Sequence, residues 1–291
     1  MSVAVVVPVR DGAELLDAAL AALMPEAAAH GAAVVVVDDA STDASADVAE
    51  RHGVTVVRRQ VAGGPYVARN AGWQAANADV VVFTDVRCRA RTGWLGGLLA
   101  GLADPAVAIC GGDVEALTGD SAAERYVHKW QPLQPDRGLT HEFLPFLPTC
   151  NLATRRSVLV AVDGFRPMRS GGDLDFCWRV QLAGLGSVVY APGAGVEWVP
   201  RPGTRAVVRQ WYRYGAAKPS LYRDYARHGY ELEPPPPSLR IWVREARRFA
   251  RALRRTPARD WDVEVVDRLC QLAWWRGYRR EWRSLATGGG G

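Results

Sequence analysis

Four short apolar runs dominate the first third of the chain: VAVVVPV (residues 3–9), AVVVVDD (33–39), VTVVRR (54–59) and ADVVVFTD (78–85). Runs that are apolar at consecutive rather than alternate positions predict strands covered on both faces, as in a parallel sheet. Between them lie helical signals. Residues 13–30 are rich in Ala and Leu at helical spacing, interrupted by Pro25. STDASADVAERHG opens on capping residues and closes on a glycine, and GGPYVARNAGWQAAN is a Gly-rich entry into a helix. Strand–helix alternation of this kind predicts an α/β fold, a mostly parallel sheet flanked by helices, with ligands bound beyond the carboxyl ends of the strands.

The remainder is less regular. Residues 92–104 read as a helix and 106–117 as a strand, and 120–150, polar and aromatic with prolines, as a long loop or lid. PPPP at 234–237 is a stiff linker. Beyond it, Leu239, Trp242, Ala246, Phe249 and Leu253 recur at helical spacing among arginines, which predicts an amphipathic basic helix. With 291 residues, 48% hydrophobic and 23% charged, the composition is that of a soluble globular protein. No apolar run approaches the ~20 residues that cross a bilayer. The N-terminus reads as a strand rather than a signal peptide. Five scattered cysteines without a CxxC pair point to reduced thiols, a cytoplasmic location and no structural zinc. The net charge of +5 gathers in the C-terminal third and suggests an anionic partner.

Several strand ends carry polar groups to one edge: Pro8-Val9-Arg10-Asp11, Asp38-Asp39-Ala40-Ser41 and Thr84-Asp85, with Arg69 and Asn70 on the helix after Gly63-Gly64-Pro65. Carboxylates so placed accept hydrogen bonds from ribose or base N–H groups, and an arginine answers a diphosphate. Asp43 and Ser41 read more simply as helix caps. Asp39 and Asp85 together favour a ligand.

VVVPVRD, VVVDDASTD, GGPYVARNAGW, VVVFTDVRC, NLATRRSVLVAVDGF and GGDLDFCWRVQLAGLG follow one another in an order that resembles the family-2 glycosyltransferases. The resemblance covers roughly residues 1–225. It implies a GT-A fold and inverting transfer from a nucleotide-diphospho sugar. Residues 1–117 would form the nucleotide-sugar half and 118–225 the acceptor-side half. A basic helical extension (226–287) and a disordered glycine tail (288–291) would follow. Pro8, Arg10 and Asp39 would border the nucleobase, with Arg69 nearby and Asp85 near the ribose, and Asp173 would be the base. Inversion needs one carboxylate to take the acceptor's proton opposite the leaving diphosphate. Asp173, just after Gly171-Gly172, can face a cleft from a helix entrance. Its plainer reading is that of an N-cap, and Asp175 is held in reserve, with Arg179 as an ion-pair partner for one of the two. Asn151, Asp175 and Trp198 would serve the acceptor side or support it.

Two departures from the family pattern concern the metal. Its DxD motif here reads Asp85-Val86-Arg87, and valine cannot ligate a cation. A histidine common after the strand AGAGVEWVPRPG is replaced by Glu197-Trp198. One reading has Arg87, with Arg201 or Arg205, supply the diphosphate's counter-charge without a metal. The other has Asp85, with Glu197, hold Mg2+ or Mn2+ through waters. His128 and His141 read as packed residues, and Tyr126, Trp130 and Phe143 as candidates to shape an acceptor pocket. The partners implied are a nucleotide-diphospho-sugar donor and an acceptor that is a small molecule, a peptide or lipid-linked. No nucleic-acid motif is present. The basic helix fits either packing or peripheral contact with the inner face of a membrane. A GT-A-like nucleotidyltransferase is the alternative enzyme, disfavoured because VPVRDGAELL lacks its glycine-rich loop. A catalytically degenerate binding protein is the non-enzymatic alternative.

Overall fold

The computed structural model describes residues 1–287; the glycines at 288–291, expected to be a disordered tail, lie outside them. In chain order the elements are β1 (Val3–Val9), α1 (Ala13–Ala29), β2 (Ala33–Asp38), α2 (Ser45–Arg51), β3 (Thr55–Arg58), α3 (Pro65–Ala76), β4 (Val80–Thr84), β5 (Cys88–Ala90), α4 (Trp94–Gly101), β6 (Val107–Ala116), α5 (Ala122–Trp130), α6 (Pro135–Leu139), β7 (Asn151–Arg155), α7 (Arg156–Ala161), α8 (Gly172–Leu182), β8 (Ser187–Trp198), α9 (Thr204–Tyr225), α10 (Ser238–Leu253) and α11 (Trp261–Thr287). They form two compact units, one of residues 1–116 and 133–199, the other of 117–132 and 200 onward. A boundary drawn at 225 from the sequence puts α9 in the acceptor-side half (118–225); the compact units put it with α10 and α11.

The first unit is built on one mixed sheet in the order β3-β2-β1-β4-β7-β6-β8-β5. The valine runs form its parallel half: β1 pairs in parallel with β2 and β4, and β2 with β3. Every residue of β1 is buried, which explains why its apolar residues do not alternate. β7 runs antiparallel to both β4 and β6. Side chains from β1, β2, β4, α3 and α8 join in a core that includes Val6, Val37, Phe83, Phe165 and Phe176. Phe165 meets Phe83 edge-on at 5.1 Å and Phe176 at 4.6 Å, within the range of favourable ring pairs.

Two local expectations change. α1 runs unbroken through Pro25. Pro25 and Ala21, whose carbonyl loses its partner, both lie on the exposed side, while Leu16, Leu20, Leu23 and Ala27 anchor the helix on either side of the proline. The 120–150 stretch is not a continuous loop. Ser121 and Glu124 form a complete capping box that starts α5, and α6 follows.

In the second unit α9 and α11 pack at unusually close range. A Cβ at Gly215 would lie 2.0 Å from the Trp274 carbonyl oxygen, and one at Gly277 would lie 2.1 Å from that of Tyr212. α5 joins α11 through Arg125–Asp262 (2.5 Å) and Lys129–Glu264 (2.8 Å). Its Tyr126 is fully buried, 6.0 Å from the Trp211 ring, so it is a core residue and not a pocket wall. Tyr225 and Tyr230 are likewise buried.

One glycine positions the functional edge. At Gly72 a Cβ would sit 2.3 Å from Val6 Cγ1 and 2.9 Å from Val37 Cγ2, so α3 lies directly on β1 and β2. Alanine gains about 1 kcal/mol in helix propensity, but overpacking a tight core costs about 1–3 kcal/mol. Gly72→Ala is expected to lower the stability of the full chain in urea unfolding by up to about 2 kcal/mol, the difference between those two effects. An unchanged or higher midpoint would show that α3 can lift without cost.

Candidate functional site

The carboxyl ends of β1, β2 and β4 share one edge of the sheet, and the loops after them are tied together by short polar side chains. Asp11 accepts from Thr42 N (2.7 Å) and Thr42 Oγ1 (3.0 Å), and these bonds, the backbone one first, hold its carboxyl below the usual range. Ser41 Oγ accepts from Asp11 N (3.1 Å). Asp43 accepts from Ala13 N in the first turn of α1 (3.0 Å) and from Ser45 N (3.0 Å). These residues brace the loops; the N-caps of α1 and α2 are Gly12 and Ala44, and Ser41 ties one loop to the other instead of capping a helix. Pro8 is buried within β1, whereas Arg10 is exposed, 3.8 Å from Asp11.

Asp39 is buried at the end of β2 and turned toward the entry of α3. It accepts from Gly63 N (2.9 Å), Gly64 N (2.7 Å) and the Arg59 guanidinium. A carboxylate has about four lone-pair sites, so most of this one's capacity serves the glycine-rich turn. A base N–H would share it with two backbone amides. Arg59 is a partner that the sequence reading missed.

α3 then brings Arg69 to the end of β4. Its Nη2 donates to Asp85 Oδ1 at 2.5 Å, with the Arg69 side chain 3% exposed and that of Asp85 34% exposed. The guanidinium lies 5.5 Å from the centre of the Tyr66 ring, and Arg69 Nε is buried without a hydrogen-bond partner among the described residues. After Asp85 the chain turns sharply, with Cys88 N donating to the Asp85 carbonyl (2.8 Å). Val86 faces Gly12: a Cβ there would lie 3.4 Å from Val86 Cγ2. Arg87 donates to the Val199 carbonyl (3.3 Å) and its own carbonyl accepts from Val199 N (2.8 Å), which fastens this turn to the end of β8.

Asp173 lies in the first turn of α8. Tyr66 Oη donates to Asp173 Oδ1 (3.2 Å). Burial raises the Asp173 carboxyl above its usual range, while its own backbone amide, the charge of Arg69 and the Tyr66 hydroxyl oppose the rise. Burial, then the Asp173 charge, pushes the Tyr66 phenol well upward, so it stays protonated as a donor. The contact needs a glycine beside it, because a Cβ at Gly172 would fall 2.7 Å from the Tyr66 ring. Tyr66 was not singled out from sequence, although it stands three residues before Arg69 on the same helix face. Asn70, one residue further, holds the chain leading to α8: its Nδ2 donates to Phe165 O (2.7 Å) and its Oδ1 accepts from Phe165 N (2.9 Å).

Other candidates fall elsewhere. Asp175 is fully buried between Arg179 Nε (2.9 Å) and Arg166 Nη1 (3.2 Å), so its carboxylate supports α8 rather than facing a cleft. Asn151 is fully buried; it accepts from Trp94 Nε1 and donates to the Asp113 and Ala194 carbonyls, all at 2.8 Å. Trp198 is buried at the end of β8, opposite Cys88. Glu197 is partly exposed and 3.7 Å from Arg91. His141 packs between Phe146 and Trp178, and Phe143 meets Trp178 edge-on. Arg201 and Arg205 belong to the second unit. All five cysteines are buried and free. Among the described residues no group of three or more His, Cys, Asp or Glu side chains is placed to hold a metal ion. Asp85 accepts from Arg69 through Oδ1 alone, and Glu197 lies near Arg91.

Comparison with known proteins agrees with this architecture. Residues 4–172 match the model of glycosyl transferase family 2. The chain is 32% identical to the pre-mycofactocin glycosyltransferase of Mycobacterium tuberculosis, over 76% of this chain and 48% of that protein, so it spans about half the length of this curated relative. Among solved structures, a mannosyltransferase from Pyrobaculum calidifontis, in complex with GDP-mannose and Mn2+, superposes with a TM-score of 0.63 at 20% identity, covering 98% of this chain and 84% of that one. Glucosyl-3-phosphoglycerate synthase from M. tuberculosis, in complex with phosphoglyceric acid, gives 0.57 at 18% identity over 76% and 79% of the two chains. Those likenesses identify the GT-A fold. The ordered motifs, the strand-edge carboxylates and the family match together establish that this chain belongs to glycosyl transferase family 2.

Proposed function

We propose that this chain transfers a sugar, with inversion, from a nucleotide-diphosphate donor to an acceptor hydroxyl, and that Asp173 is the base. The observation that carries the reading is the continuous path Asp85–Arg69–Tyr66–Asp173, which joins the strand edge where donors bind in such sheets to a carboxylate at a helix entrance. In this reading the loops around Pro8, Arg10 and Asp39 border the nucleobase, and Asp85 meets the ribose. Asp173 accepts the acceptor's proton as its oxygen attacks the anomeric carbon and the diphosphate departs from the opposite face. The raised carboxyl suits that task, because a stronger base is a better proton acceptor as long as it remains ionised. Arg69 and the Tyr66 hydroxyl favour the ionised form. Negative charge growing on the leaving phosphate is met by Arg87 at the turn after Asp85. The relative's acceptor, pre-mycofactocin, is the first to be tried, while the donor remains to be found by screening nucleoside diphosphates and their sugars in thermal shift. A stabilising nucleotide is expected, and none in the whole set would remove the transferase reading.

Once a donor and acceptor are paired, Asp173→Asn is expected to lower kcat by about 10²–10⁴-fold and leave donor binding by calorimetry intact. Full turnover in that variant would disprove the assignment. Tyr66→Phe removes a hydrogen bond that favours ionised Asp173. The carboxyl therefore rises further, and the acid limb of the kcat/KM profile moves to higher pH. A shift to lower pH, or none, would separate Tyr66 from the base.

Counter-charge from Arg87 predicts that most turnover survives a chelator and falls in Arg87→Ala. Complete loss in chelator, restored by Mg2+ or Mn2+, would assign the diphosphate to a metal instead.

A further inference from the structure

α10 has three faces, and only one is used for packing. At 3.6 residues per turn, Ile241 and Glu245 point inward and are buried. Leu239, Trp242 and Val243 form a second sector with Ala246, and they are 74%, 61% and 41% exposed for the first three. Arg240, Arg247, Arg251 and Arg254 fill the sector beside it and are all exposed. Residues 238–255 hold seven arginines and a single acid, Glu245. That acid is turned inward, 2.6 Å from Arg268 of α11 and 3.1 Å from Arg244. Arg244 also lies over Trp275 at 5.0 Å. Arg244 therefore belongs partly to the packing of the unit, whereas the outward arginines have no acid on their own helix to answer them. An open groove of about 680 Å³ runs along this side, between Leu239, Val243 and the arginines.

A helix with an exposed apolar strip flanked by arginines has the chemistry of an interfacial helix. Tryptophan favours the boundary between headgroups and acyl chains. Arginine stems can lie on the apolar boundary while their guanidinium groups reach phosphates. We infer that α10 is a membrane-surface helix: Leu239, Trp242 and Val243 enter the boundary of an anionic bilayer, and Arg240, Arg247, Arg251 and Arg254 hold its phosphates. No described helix is long and apolar enough to cross a membrane, so α10 lies along the surface rather than through it. Charge decides against the other occupants. A second copy meeting this face symmetrically would bring the same arginines against themselves. A nucleic acid would answer the arginines but leave the apolar strip in water. This inference is independent of the proposed glycosyl transfer.

The test is co-sedimentation of the full chain with vesicles of phosphatidylglycerol mixed into phosphatidylcholine, against vesicles of phosphatidylcholine alone. Binding is expected to the anionic vesicles and to fall as salt rises. Arg247→Ala and Arg251→Ala should each weaken it about fivefold, and Trp242→Glu should abolish it. All three positions are exposed, and unchanged thermal unfolding of each variant would confirm that folding is not at issue. Absence of binding at low salt would overturn the inference, as would equal binding by Trp242→Glu. Two further outcomes would also overturn it: RNA binding without vesicle binding, or a concentration-dependent dimer that Trp242→Glu dissolves without any lipid affinity.

Discussion

Arg69 carries a permanent charge into a place that water barely reaches, and the residues around it are arranged to bear that cost. Removing an ion from water costs several kcal/mol even after relaxation. Asp85 offsets part of it through a charge-assisted bond, and the Tyr66 ring adds a polarisable face. The compensation is lopsided: Arg69 is sealed while Asp85 remains a third exposed. A fixed positive charge therefore sits just behind the sheet edge, with a partly hydrated carboxylate in front of it. That arrangement favours a ligand with both hydroxyl groups and negative charge, as a nucleoside diphosphate has. It also reaches Asp173, where burial raises the carboxyl and the charge of Arg69 is among the effects that oppose the rise.

The departures at Val86 and Arg87 have a local physical account. A second acid in that turn would stand near Asp85 with like charge. Valine instead packs over Gly12 at the start of α1, and Arg87 clasps the backbone at Val199. The turn is thus held by apolar contact, by the Arg87 side chain and by a main-chain bond. The carboxylates of Asp11, Asp39 and Asp43 also tie loops together, accepting from the backbone amides of Thr42, of Gly63 and Gly64, and of Ala13 and Ser45 respectively. The edge is preorganised by side chain–backbone bonds, which leaves Asp85 and Asp173 as the carboxylates with the clearest claim to a substrate.

Much of this was legible in the sequence. Consecutive valines gave the parallel strands, because burial on both faces removes alternation, and the strand-end position of Asp85 marked the edge. Arg179 as the holder of a carboxylate was likewise readable, since it stands one helical turn after Asp175. What escaped was long-range. Whether Asp39 faces a ligand or a glycine turn depends on residues 24 and 25 positions away. Tyr66 and Asp173 meet across 107 residues. The helix at 122–130 was missed for a different reason: its capping box was present, but the aromatic and charged residues around it read as loop. Pro25 misled in the opposite direction, because a helix tolerates proline where the orphaned carbonyl's residue is exposed.

The second unit shows how packing decides which surfaces stay open. Gly215 and Gly277 let α9 and α11 approach until backbone meets backbone. α10 docks through Ile241 and the buried Glu245, whose charge is matched by Arg268, Arg244 and Arg248. Phe249, Ala252 and Leu253 are half-buried on the same helix, so its docking combines apolar contact with that ion cluster. The exposed Leu239, Trp242 and Val243 lie outside that docking face, next to arginines that no acid on the helix neutralises.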